Sequence, residues 1–121
     1  MRAGRDPAVA PAGKPLARLQ RKLTVEILWI YVLAVLASRG PTYAYNVRRL
    51  ISEIFGFKPS TVTLYTVIYR LEREGLIAKE GGEYAITDSG RAALSRGICL
   101  LRGILSQLAG LASEAGVSTC S

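Results

Sequence analysis

The sequence predicts a mainly α-helical fold with one small β-hairpin, and three observations carry the prediction. Apolar residues recur at helical spacing in separate stretches from residue 23 to residue 112. Two short runs of strand-forming residues, Leu76 to Glu80 and Glu83 to Thr87, flank Gly81-Gly82, a two-residue hairpin signal. Gly, Pro and Ser/Thr punctuation separates the helical stretches: Arg39-Gly40-Pro41 after the first, Gly56 and Pro59 after the second, Gly75 after the third.

Each element has its own justification. Residues 1–20 mix Pro, Gly, Ala and basic residues without periodicity, so a loose coil is expected. The first helix is expected from about Leu23 to Ser38; it is apolar almost all round and belongs at the centre of the core or at a subunit interface. Thr42 is placed to cap the second helix, Tyr43 to Phe55, where Val47, Leu50, Ile51 and Ile54 share a face. Ser60 is a good N-cap for a third helix, Thr61 to about Glu74, with Leu64, Val67, Ile68 and Leu71 as its apolar stripe. After the hairpin, Thr87-Asp88-Ser89 offers caps for a last helix from about Gly90 to Ala112. There Leu94, Ile98, Leu101, Leu105 and Leu108 alternate steps of four and three, an a/d seam that favours packing against another helix.

The second and third helices are separated by only a few residues, a helix-turn-helix, and the hairpin that follows makes it the winged version. The expected organisation is a basic arm over 1–22, a winged helix-turn-helix domain over 23–87, and a C-terminal dimerisation helix with a short tail over 88–121. At 121 residues the chain has room for one such domain, and association with a second copy would help its stability.

Net charge is +7, which suggests an anionic partner, but the excess is uneven. Residues 1–22 hold six basic groups against Asp6 alone, whereas residues 23–87 hold seven basic and six acidic groups. The arm can grip phosphates or serve as a solvated tail; the sequence leaves both open. There is no histidine, and Cys99 and Cys120 form no metal-ligand spacing, so neither a metal nor another cofactor is expected. Cys99 is expected as a small core residue, and Cys120 as a mobile residue near the end. Leu23 to Ala37 is too short and carries Glu26, so it is read as a buried helix and not a membrane span. No signal peptide is recognised, and a cytoplasmic protein is expected. No nucleophile–base pair, phosphate-cradling loop or carboxylate cluster suggests an enzyme.

Thr63-Leu64-Tyr65, then Leu71-Glu72-Arg73-Glu74-Gly75-Leu76-Ile77, then Tyr84-x-Ile86-Thr87-x-x-Gly90-Arg91, with Gly40-Pro41 and Tyr45 upstream, resemble the PadR family of transcriptional regulators. The resemblance runs from about Leu23 into the last helix. It implies a dimeric, ligand-responsive repressor with Thr63-Leu64-Tyr65 in the recognition helix and Tyr65 as a backbone contact. The chain departs from the family pattern at Val62 and Thr66 around that motif, at Ala44 in place of the glycine before Tyr45, and in its wing. Lys79-Glu80-Gly81-Gly82-Glu83 is short and more acidic than basic, which suits phosphate contact poorly.

A major groove admits one helix, and the second helix of the motif supplies it. At about 100° per residue, Val62, Thr66, Tyr69 and Arg73 oppose the apolar stripe, flanked by Thr63, Tyr65 and Arg70. Ser60, Thr61, Thr63 and Thr66 are therefore candidates for base edges or phosphates, Val62 for a thymine methyl, and Arg70 for a guanine or phosphate. Lys58, Arg48 and Arg49 are phosphate candidates. Each has a plainer reading: Arg70 and Glu74 stand at i,i+4 and can pair, Tyr65 and Tyr69 can cover the core edge, and Arg48 and Arg49 can be a solvated face. Trp29 can line a pocket for a small hydrophobic effector or simply fill the core. The expected function is a sequence-specific regulator of double-stranded DNA, acting as a homodimeric repressor. A winged helix devoted to protein contact and a non-specific architectural DNA binder are the alternatives.

Overall fold

The computed structural model describes residues 13–120. In chain order it contains α1 (Gly13–Arg21), a π-helical segment (Lys22–Glu26), α2 (Leu28–Arg39), α3 (Ala44–Phe55), α4 (Thr61–Arg73), β1 (Ile77–Glu80), β2 (Glu83–Ile86) and α5 (Asp88–Glu114).

The all-round apolar helix is the hub. Leu28, Val32, Leu33, Val35 and Leu36 of α2 are all buried, and α2 packs against α3, α4, β2 and α5. Val47 and Ile51 of α3, Leu64, Ile68 and Leu71 of α4, Ile77 of β1 and Tyr84 of β2 complete the core. Each fully buried aliphatic side chain contributes roughly 1.5–3 kcal/mol of hydrophobic stabilisation.

The hairpin follows the register Ile77↔Ile86, Ala78↔Ala85, Lys79↔Tyr84 and Glu80↔Glu83. Gly81 and Gly82 turn it with φ of 61° and 89°, the paired left-handed conformation a tight hairpin needs. Thr42 adds an isolated bridge on the free edge of β2: its N–H donates to Tyr84 O and Tyr84 N–H donates to Thr42 O, at 3.1 and 2.8 Å. Thr87 then locks the wing to the end of α4. Its hydroxyl donates to Gly75 O and accepts from Gly90 N–H, so one side chain closes the end of α4 and caps α5. Gly90 passes so close to Leu76 O that a Cβ would collide with that carbonyl and stand 2.7 Å from Ile86 Cγ1.

Several expectations need correction. The coil expected over residues 1–20 is helical from Gly13 onward; residues 1–12 lie outside the described residues. Lys14, Arg18 and Arg21 gather on one side of α1 and Leu16 and Leu19 on the other. Pro15 lies within this helix. The first helix of the domain does not run unbroken from Leu23: a π-helical segment precedes it, and the chain breaks at Ile27 (φ −107°, ψ 25°). Tyr31 helps hold that break by donating to Leu23 O at 2.8 Å, with its ring edge-on to Phe55 and Phe57. Tyr43, not Thr42, is the N-cap of α3 and makes no side-chain capping bond, because Thr42 is committed to the sheet and its hydroxyl accepts from Asn46. Cys99 is exposed, not a core residue, because it lies on the side of α5 away from Leu94 and Leu101.

Candidate nucleic-acid interface

The interface is built on α4. Ser60 caps it as expected: its Oγ accepts from Thr63 N–H at 3.1 Å and donates to Thr63 Oγ1 at 2.9 Å. The Thr66 hydroxyl donates back to Val62 O at 2.8 Å. The helix therefore starts with an ordered row of hydroxyls whose outer lone pairs still face solvent, and Thr61 carries a further exposed one. Two turns of apolar stripe, Leu64 to Leu71, hold the opposite side of α4 against the core, so the row cannot turn inward.

Val62, Thr66, Tyr69 and Arg70 are exposed on this helix, and Tyr65 is half-buried against the core with its ring tilted towards Tyr69, 6.2 Å between centroids. Val62 is 78 % exposed, an aliphatic side chain that nothing among the described residues covers. Among the described residues Arg70 forms no ion pair with Glu74, so its guanidinium is available. Arg49, in contrast, pairs with Glu53 at 2.9 Å and donates to Asn46 Oδ1 at 3.3 Å.

Arg48 holds the turn of the motif. Its Nε donates to Pro59 O at 2.7 Å, tying α3 to the residue before the N-cap of α4. Its remaining N–H groups share a surface hollow of about 410 Å³ with Tyr45, Arg49, Ser52, Glu53 and Lys58. The structure thus brings Arg48, Arg49 and Lys58 into one basic hollow beside the N-terminus of α4. Tyr45 belongs to this hollow and was not among the expected contacts. It stacks on Tyr43 with centroids 5.6 Å apart and planes only 6° from parallel, and Tyr43 lies against the wing turn at Gly82. Residues two apart do not meet on a helix; these do because Tyr43 is extended and outside it.

The wing offers little to a polyanion. Lys79, its only cation, reaches over the Tyr84 ring with Nζ 5.6 Å from the centroid, and Glu80 and Glu83 face each other at the tip.

On the other flank of α4 lies a cleft of about 600 Å³ between the start of α2, α4 and α5. Trp29, Val25, Val67 and Ala93 form its apolar wall, and Glu26, Arg70 and Glu74 its charged rim. Trp29 is half-buried and packs against the core while lining this cleft. Of the seam residues, Leu94 and Leu101 are half-buried within the single chain, and Ile98, Leu105 and Leu108 are exposed. Among the described residues no cluster of His, Cys, Asp or Glu has the composition of a metal site, and no helix is long and apolar enough to cross a membrane.

Comparison with known proteins agrees with this architecture. No curated protein matches the sequence significantly. Among solved structures, a PadR family transcriptional regulator from Eggerthella lenta is similar over 83 % of this chain and 90 % of its own, with TM-score 0.65 and 25 % identity. A transcriptional regulator from Clostridium thermocellum is similar over 73 % of this chain and 94 % of its own, with TM-score 0.61 and 21 % identity. The family model described as the transcriptional regulator PadR-like family matches residues 32–96, from the middle of α2 into α5. With that match spanning more than half of its length, the chain belongs to the PadR-like family of transcriptional regulators.

Proposed function

We propose that the protein is a sequence-specific, double-stranded-DNA-binding repressor that works as a homodimer in the cytoplasm and inserts residues 60–74 into the major groove. The observation that carries this reading is the outer face of α4. An ordered hydroxyl row (Ser60, Thr61, Thr63, Thr66), Val62 and Arg70, which forms no ion pair among the described residues, project from a helix whose other side is sealed to the core. Hydroxyls and guanidinium serve base edges and phosphates, and an exposed valine suits a thymine methyl. The hollow of Arg48, Arg49 and Lys58 stands beside the same helix end and would hold the flanking phosphates, with Tyr45, Tyr65 and Tyr69 along the edge of the contact.

The a/d seam of α5 (Leu94, Ile98, Leu101, Leu105, Leu108) would join two copies, which sets the spacing of two recognition helices on a palindrome. A small hydrophobic effector in the Trp29 cleft would touch Thr63, Thr66 and Arg70 directly and so compete with DNA for them.

The test is binding to the DNA upstream of its own gene and to a scrambled duplex across a salt series. A preference of about 10³ or more with a steep salt slope is expected. Equal affinity for both duplexes would replace specificity with an architectural role. A second reading, a winged helix for protein contact, draws on the lodged Lys79 and the acidic wing tip; absence of binding to either duplex would favour it.

A further inference from the structure

We infer that α1 is a second DNA-binding element: Lys14, Arg18 and Arg21 on its basic side hold backbone phosphates beside the half-site that α4 enters. The inference rests on the DNA reading proposed above and adds to it a helix outside the winged domain. It starts from a shortage of cations. Residues 23–87 hold seven basic groups against six acidic ones. Arg49 is committed to Glu53, Lys79 lies over the Tyr84 ring, and Glu80 and Glu83 meet at the wing tip. Of the groups proposed above for phosphates, Arg48, Lys58 and Arg70 remain, for a duplex that carries one negative charge every ~1.7 Å of its axis.

What the domain lacks, α1 carries. From Gly13 to Val25 the chain has Lys14, Arg18, Arg21 and Lys22 and no Asp or Glu. At about 100° per residue, Lys14, Arg18 and Arg21 fall within about 60° of one another, with Leu16 and Leu19 on the opposite side. All three cations are exposed, and among the described residues none of them forms an ion pair. Lys14 and Arg18 stand at i,i+4, and Arg18 and Arg21 at i,i+3, where like charges destabilise a helix. A polyanion laid along this side removes that penalty.

Position agrees with charge. Arg21 keeps helical dihedrals (φ −63°, ψ −44°), so α1 runs into the π-helical segment without a break. That segment is fixed at its root: the Thr24 hydroxyl donates to Gln20 O at 2.8 Å, and the Tyr31 hydroxyl donates to Leu23 O at 2.8 Å. It lies against the start of α4. Thr24 and Val25 line a hollow of about 320 Å³ with Lys58, Ser60 and Thr63, and Val25 and Glu26 share the Trp29 cleft with Thr63 and Thr66. The basic helix therefore begins beside the hydroxyl row and continues the same interface. From Arg21 to Lys14 it extends about 10 Å, a length of duplex axis that carries about three phosphates on each strand.

The test is the salt dependence of binding, measured by fluorescence anisotropy with the full chain on the duplex from upstream of its own gene and on a scrambled duplex. The triple variant Lys14→Gln/Arg18→Gln/Arg21→Gln should bind both duplexes about tenfold or more weakly at about 0.1 M salt and flatten the log–log salt slope by about 2–3 for each bound copy. The preference between the duplexes should stay as it is, because phosphate contacts are blind to sequence. Arg18→Gln alone should flatten the slope by about 0.9 for each copy, which keeps the test independent of the folding of the triple variant. Arg91→Gln/Arg96→Gln/Arg102→Gln removes the same charge from α5 and should change the slope far less. Equal flattening by both triple variants would reduce the effect to net charge and reject the inference. An unchanged slope in the α1 variants, or a loss confined to the cognate duplex, would also reject it and leave α4 as the DNA-binding element. A wild-type chain that binds neither duplex would overturn the DNA reading and this inference together. Flotation with phosphatidylglycerol vesicles that is lost in the α1 variant, while DNA binding stays fixed, would assign the basic side to a lipid surface and reject the inference as well.

Discussion

The middle of the molecule and its two ends use leucine at the same helical spacing and treat it in opposite ways. Leu64 in α4 is fully buried, whereas Leu108 in α5 is 61 % exposed and Leu19 in α1 is 51 % exposed. The difference is not in the residues or their periodicity. In the middle the chain supplies its own neighbour, α2, which is apolar all round and serves every element that packs on it. At the ends no such neighbour lies against these faces among the described residues. Periodicity tells which face of a helix is apolar, and only the fold tells whether the same chain covers it.

The largest effect that tests this contrast is a cavity in the middle. Leu64→Ala should cost about 2–5 kcal/mol, seen as a Tm lowered by the same amount at every protein concentration. Leu108→Ala should act only through association, so that its effect on Tm changes with concentration. If the two variants behaved alike in both respects, the division between a self-sufficient middle and unfinished ends would be wrong. Next in size is Gly90→Ala. The new methyl would have to displace the Leu76 carbonyl, which also accepts from Thr87 N–H, so the junction between wing and α5 must shift. A loss of about 1–3 kcal/mol is expected in denaturant unfolding.

The same contrast explains what could be read from the sequence. The winged helix-turn-helix was legible element by element, because Ser60, Thr87 and Gly81-Gly82 act through local chemistry that their neighbours in sequence already specify. The helix at α1 was not, because Gly13 and Pro15 read as breakers although the helix includes both. The exposure of Cys99 was missed because an apolar stretch was read as buried on all sides. At the site, the hydroxyl row and the exposed Arg70 could be placed by counting along one helix. The tether from Arg48 to Pro59 and the Tyr43–Tyr45 stack could not, since both depend on how a turn brings separate segments together.

A smaller effect sharpens the boundary between middle and end. Tyr31 belongs to α2, yet its hydroxyl reaches back to Leu23 O in the π-helical segment while Phe55 and Phe57 hold its ring. Tyr31→Phe keeps the ring contacts and removes only the bond, so it should cost about 0.5–1.5 kcal/mol. The loss should appear as faster amide exchange in residues 22–27 with little change in α4. Equal acceleration in α4 would mean that the π-helical segment and the recognition helix open as one unit.

The smallest effect is the pH dependence of the middle, where no histidine titrates. Burial pushes the phenols of Tyr31 and Tyr84 above their ordinary range, and for Tyr84 the nearby Lys79 ammonium only partly opposes this. A phenol whose pKa is raised by folding stabilises the fold fully below its unfolded value of about 10, and that contribution is lost as pH climbs through the folded value. Stability in denaturant should therefore be flat between about pH 7 and pH 9 as far as these groups are concerned, and fall above about pH 10. Tyr84→Phe keeps the ring beneath Lys79 and under the Thr42 bridge, so it should remove part of the alkaline fall without changing the plateau shape. An alkaline fall identical in the wild type and in Tyr84→Phe would show that the hairpin opens before Tyr84 ionises. The wing would then belong with the loosely held ends and not with the middle.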